Sequence, residues 1–200
     1  YYQGMRYEMP IHGFAPTSLF TLGEKASNRM AFCLTDSKQT FQQYPFHFRF
    51  EVHYTLHDHT LDVTYTVENN DEKPMYFGLG GHPGFNVPLE QGLTFEDYSL
   101  TFDTPCAPVL VGFSDDCFVT GEDTPFPLME DRILPLRHNL FDKDALVLKQ
   151  VAPGVSLTSK TGKHGLHLQF PDQPILGIWH WPKTDAPYVC LEPWSSLPSR

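Results

Sequence analysis

Three short stretches of this 200-residue chain set a titratable side chain beside glycine or proline and an aromatic ring, each at the end of an apolar strand pattern. They are Met9-Pro10-Ile11-His12-Gly13-Phe14, Gly80-Gly81-His82-Pro83-Gly84-Phe85-Asn86 and Cys190-Leu191-Glu192-Pro193-Trp194. Glycine lets a backbone approach a ligand closely, and proline fixes the direction of the chain. An aromatic ring next to polar groups is a surface on which the apolar face of a sugar stacks. Imidazole and carboxylate are the side chains suited to deliver and remove protons near neutral pH. Taken singly, each His or Glu reads as a hydrogen-bonded residue stabilising a turn. Taken as a set, they read as a place for acid–base work.

Other chemistries find less support. His57-Asp58-His59 has the HxH form of a metal site, but Val63 and Thr64 stand where a carboxylate would complete it, and a hairpin turn accounts for solvated histidines there. His164 and His167 flank Gly165 with no carboxylate close by, and no HExxH pattern occurs. No GxSxG elbow is present, and Gly78-Leu79-Gly80-Gly81 lacks the spacing of a phosphate or dinucleotide loop. Cys33, Cys106, Cys117 and Cys190 form no CxxC pair and read as reduced, mostly buried thiols in a reducing, cytoplasmic setting. Neither a metal nor a cofactor is expected.

The elements that must position these residues are strands. Phe46, Phe48, Phe50, Val52, Tyr54 and Leu56 alternate with His47, Arg49, Glu51, His53 and Thr55. After the polar turn His57–Thr60, Leu61, Val63, Tyr65 and Val67 resume the alternation, predicting a hairpin with one buried and one wet face. A further strand is expected to start over Met75–Leu79. Short strands are predicted over 98–102, 145–148, 155–159, 166–170, 175–181 and 188–191, separated by turn residues such as Pro153-Gly154 and Pro171-Asp172. No stretch carries an apolar stripe of helical period with caps. The reading is all-β, a large antiparallel β-sandwich forming a single domain over residues 1–200.

The net charge of −10 and pI near 5.3 repel phosphate backbones, so nucleic acid is not an expected partner. No apolar run approaches the ~18–20 residues of a membrane helix. The chain opens on Tyr1-Tyr2-Gln3 with no Met, and reads as a piece of a longer protein, incomplete at the N-terminus.

His12-Gly13-Phe14, Gly81-His82-Pro83-Gly84-Phe85-Asn86 and Leu191-Glu192-Pro193-Trp194 together resemble, in order and spacing, the signature of the aldose 1-epimerase (galactose mutarotase-like) superfamily in its bacterial branch. The resemblance runs over essentially the whole chain, with Tyr44-Pro45-Phe46 and Leu176-Gly177-Ile178-Trp179 in keeping. It implies a galactose mutarotase-like supersandwich with a sugar in an open cleft on one sheet. It also implies roles: His82 as general acid to the ring oxygen, Glu192 as general base at the anomeric hydroxyl, and His12 as a second histidine on the sugar. Phe85, Asn86 and Trp194 of the same motifs are implied sugar contacts. An aspartate binding sugar hydroxyls falls within Phe141-Asp142-Lys143-Asp144, taken as Asp144 with Asp142 the alternative.

The implied partner is a free aldohexose, whose hemiacetal opens when one group removes the C1 hydroxyl proton and another protonates the ring oxygen. Two rivals stand beside this reading. One is a non-catalytic sugar-binding or sensor domain, which would need no acid–base pair. The other is a hexose 6-phosphate epimerase-like enzyme, which would need Arg or Lys clustered at the cleft, whereas Arg6, Arg29, Arg132 and Arg137 are scattered in sequence. Relatives commonly carry Arg where this chain has Ala15-Pro16, and place a sugar-binding arginine further towards the N-terminus.

Overall fold

Alternating residues, frequent prolines and short apolar runs favour strands over helices throughout, and the computed structural model, which describes residues 1–198, is all-β and antiparallel. The chain divides into two compact units, Tyr1–Phe77 and Gly78–Arg200.

The first unit is a four-stranded sheet, β1 (Thr21–Lys25), β2 (Arg29–Thr35), β3 (Phe48–His57) and β4 (Thr60–Asn69), paired in that order. The predicted hairpin is β3–β4. His57 faces Thr60, leaving Asp58-His59 as a two-residue turn with Asp58 at φ 49°, the left-handed value such a turn requires. The expected buried face is covered only in part. Phe48 and Val52 are buried, whereas Tyr54, Leu56, Leu61 and Val63, towards the β3–β4 turn, are exposed. A six-residue helix α1 (Lys38–Gln43) joins β2 to β3. Its Ser37 Oγ accepts from the Thr40 N–H and Thr40 Oγ1 accepts from the Ser37 N–H, a capping box on a segment too short to show helical periodicity.

The second unit holds two sheets. One runs β5 (Gly84–Asn86), β14 (Tyr188–Trp194), β13 (Ile175–Trp179), β10 (Leu146–Lys149), β7 (Val109–Leu110) and β8 (Thr124–Pro125). The other runs β12 (Leu166–Gln169), β11 (Gly154–Ser159), β6 (Tyr98–Phe102) and β9 (Ile133–Pro135). Leu100, Phe102, Val155 and Leu157 of the four-stranded sheet share one apolar cluster with Leu176, Ile178, Val189 and Leu191 of the six-stranded sheet, and all eight are fully buried. The two sheets thus pack as a sandwich, each such side chain contributing roughly 1.5–3 kcal/mol.

Two expectations need correction. Met75–Leu79 forms no strand: Pro74 removes a ladder donor, Gly78, Gly80 and Gly81 loosen the chain, and Tyr76 and Phe77 lie exposed. The four cysteines are free, but only Cys190 is buried; Cys33 and Cys106 are half-buried and Cys117 is exposed.

Candidate active site

On β14 the side chains divide by alternation. Val189 and Leu191 enter the core, so Tyr188, Cys190, Glu192 and Trp194 stand on the opposite face. The ladder with β13 sets Trp179 across from Cys190, Gly177 across from Glu192 and Ile175 across from Trp194. The glycine makes room here. A Cβ on Gly177 would lie 3.1 Å from Trp194 Cζ2 and 3.2 Å from the Glu192 Cβ.

His82 reaches this face from the other side of β14. The Gly81 N–H donates to the Pro193 carbonyl at 3.0 Å, and the Leu191 N–H donates to the Pro83 carbonyl at 3.1 Å. These two backbone bonds bracket His82 and register it against Glu192. His82 Nε2 lies 3.2 Å from Glu192 Oε1, with the His82 side chain 45% exposed and that of Glu192 5%. Gly80 bridges to Trp194, and a Cβ on Gly80 would lie 2.7 Å from the indole Cδ1, so the loop seats directly on that ring.

Burial pushes the Glu192 carboxyl up from 4.5 to about 7, a side-chain hydrogen bond from Trp194 opposes the rise, and the Asp144 carboxylate adds to it. A carboxyl held near neutrality can take up and give back a proton within the ordinary working range of pH. Burial, reinforced by Glu192, also pushes the Cys190 thiol up to about 11.

Of the two candidate aspartates, the structure brings in Asp144. It stands at φ 94° just before β10 and accepts the Trp179 indole N–H at 2.9 Å through Oδ1. The Trp179 ring meets the His82 ring edge-on, with centroids 5.9 Å apart. Asp142 instead follows the 3₁₀ helix His138–Phe141. Asn86, paired with Tyr188 on β14, belongs to the Glu192 face. Phe85 does not: paired with Val189, it packs against the core cluster, so its implied sugar contact is corrected by the alternation of β5. Trp194 lies on the expected face, packed with the apolar group of Val111, Val147 and Ile175. His12 belongs to the first unit, exposed at φ 66° in the turn closed by the Gly13 N–H to Pro10 carbonyl bond.

Sequence reasoning assigns no role to Trp179 or Cys190. Period-two alternation back from Glu192 along β14, with the facing position on β13, is the signal that reaches them. Cys190 Sγ joins His82 and Glu192 in a group whose donor atoms all lie within 4.8 Å of one another. At the hairpin turn, His57 Nε2 lies 3.5 Å from Asp62 Oδ2, and among the described residues no third such donor joins that pair. Arg132 donates to the carbonyls of Phe102 and Asp103.

A buried carboxyl, a half-exposed imidazole and a tryptophan-anchored aspartate share one sheet face, an arrangement with the groups that acid–base chemistry uses. The aldose 1-epimerase family model matches residues 2–199, and the chain belongs to that family. The chromosomal LacX protein of Lactococcus lactis is 34% identical over 190 residues, covering 93% of this chain and 63% of its own length. The fold resembles that of a galactose mutarotase related enzyme from Lactobacillus acidophilus, with a TM-score of 0.90 at 31% identity over 98% of this chain and 65% of that one. A galactose mutarotase-like protein from Lactobacillus casei gives a TM-score of 0.86 at 34% identity over 98% of this chain and 67% of that one. The chain therefore spans about two thirds of the length of these relatives.

Proposed function

We propose that the protein is a cofactor-independent isomerase that interconverts the α and β anomers of a free aldohexose. The observation that carries this reading is the direct pairing of His82 Nε2 with the buried Glu192 Oε1 at 3.2 Å. A site built only to hold a sugar has no need to bury a carboxyl until it sits at about 7.

The steps balance without an outside reagent. Glu192, as carboxylate, takes the proton of the C1 hydroxyl. The freed oxygen electrons form the C1 carbonyl while the bond from C1 to the ring oxygen breaks. The departing ring oxygen takes a proton from the His82 imidazolium. The open aldehyde turns about its C1–C2 bond and presents the other carbonyl face. Reclosure returns the first proton to C1–O and the second to His82, giving the opposite anomer. Each positioned proton transfer is worth ~10²–10⁴-fold. The carboxyl is fixed by burial and by Trp194, so the exposed imidazole is the partner that adjusts to admit the ring. Asp144 and Asn86 supply oxygen and amide groups for sugar hydroxyls.

Polarimetry tests the reading. Freshly dissolved α-glucose and α-galactose should approach equilibrium rotation faster with the purified protein than without it. A folded protein that binds either sugar but leaves both rates unchanged would make it a binding domain.

A further inference from the structure

We propose that His82, Cys190 and Glu192 form a three-donor site for a thiophilic divalent cation of the zinc class, and that the bound cation blocks the enzyme. The blocking rests on the acid–base reading above; the binding itself does not.

The donor atoms, an imidazole nitrogen, a thiol sulfur and a carboxylate oxygen, all lie within 4.8 Å of one another. Zinc bonds of ~2.0–2.3 Å in a tetrahedron set donors roughly 3.3–3.8 Å apart, so closing the site takes a movement of about 1 Å. The half-exposed His82 side chain can supply it, since Cys190 and Glu192 are fixed two residues apart on one face of β14 and are only 5% and 4% exposed. A mixed N, S and O set selects zinc, cobalt or cadmium over magnesium and calcium, which take oxygen donors. The exposed side of His82 leaves the fourth position to water. Ligation releases the thiol proton to solvent and occupies both the lone pair of His82 and the oxygen of Glu192 that the reaction uses.

Cobalt(II) is the probe, because thiolate ligation gives a sulfur-to-cobalt charge-transfer band whatever the activity. The parent protein should develop the band with one cobalt per chain. Cys190→Ser should lose it, and should require at least tenfold more zinc for half-inhibition of its own anomerisation rate. His82→Ala, altered at an exposed position, should bind cobalt at least tenfold more weakly, which keeps the test sound if Cys190→Ser folds poorly. Absence of the band in the parent overturns the proposal. So does a band of equal strength in Cys190→Ser, which would place the metal on Cys33, Cys106 or Cys117. A band without any anomerase activity in metal-free protein would uphold the site and refute only the catalytic reading.

Discussion

Replacing Glu192 by Gln should remove the proposed base and at the same time stabilise the protein in alkaline buffer. Holding a carboxyl at about 7 rather than 4.5 means that the fold resists its ionisation. For a group raised in the folded state, stability is complete below the unfolded value and is lost as pH rises through the folded one. Moving from 4.5 to about 7 corresponds to about 3 kcal/mol, most of it developed between pH 5 and pH 8. The amide side chain of Glu192→Gln keeps an oxygen to accept from Trp194 but has no proton to lose. Urea unfolding of both proteins at pH 5 and pH 8, with chelator present, reads the difference. The variant should gain about 2–3 kcal/mol on the parent between the two pH values, a large share of the stability of an ordinary domain. Parallel loss of stability in the two proteins from pH 5 to pH 8 would refute the claim that Glu192 is buried against its charge.

Gly177→Ala would bring a methyl group to 3.1 Å from Trp194 Cζ2 and 3.2 Å from the Glu192 Cβ. Thermal unfolding should show a loss of about 1–3 kcal/mol, with turnover falling further than the unfolded fraction explains. Trp179→Phe keeps a ring beside His82 but removes the N–H given to Asp144; steady-state kinetics should show KM rising several-fold with kcat little changed. The fully buried His180 donates through Nδ1 to the Trp181 carbonyl, with His138 3.1 Å from its Nε2, and burial lowers its pKa. That lowering makes stability complete above the ordinary ~6.5 and declining as pH falls below it, by at most ~1.4 kcal/mol per pH unit. In urea titrations His180→Asn, which does not titrate, should flatten that acid slope.

The legible parts of the fold were those with strict alternation. The β3–β4 hairpin announced itself because ten-residue strands carry the period over several repeats and a two-residue polar turn divides them. β2 did not, because Met30-Ala31-Phe32-Cys33-Leu34 is apolar at every position and loses the period. β7, β8 and β9 are two or three residues long, too short for any periodicity, and are held by the neighbours they pair with. β13 stops at Trp179, where His180 turns inward and Pro182 closes the run, whereas β14 continues past Leu191 through Pro193 to Trp194. In the site, His82 and Glu192 could be named from their motifs, but their contact could not. It depends on the two backbone bonds from Gly81 and Leu191 that tie distant segments together. Phe85 packs with the core although it stands in a site motif, because a motif gives order along the chain, whereas alternation decides which face a side chain joins.

Anomer exchange in galactose, followed by magnetisation transfer between its α and β C1 protons, reads the roles of His82 and Glu192 most directly. Parent, Glu192→Gln and His82→Asn would be compared at matched sugar occupancy. Each substitution should lower the exchange rate by ~10²-fold or more while sugar binding persists. Either variant exchanging the anomers at close to the parent rate would contradict the assignment of His82 and Glu192 as the acid–base pair.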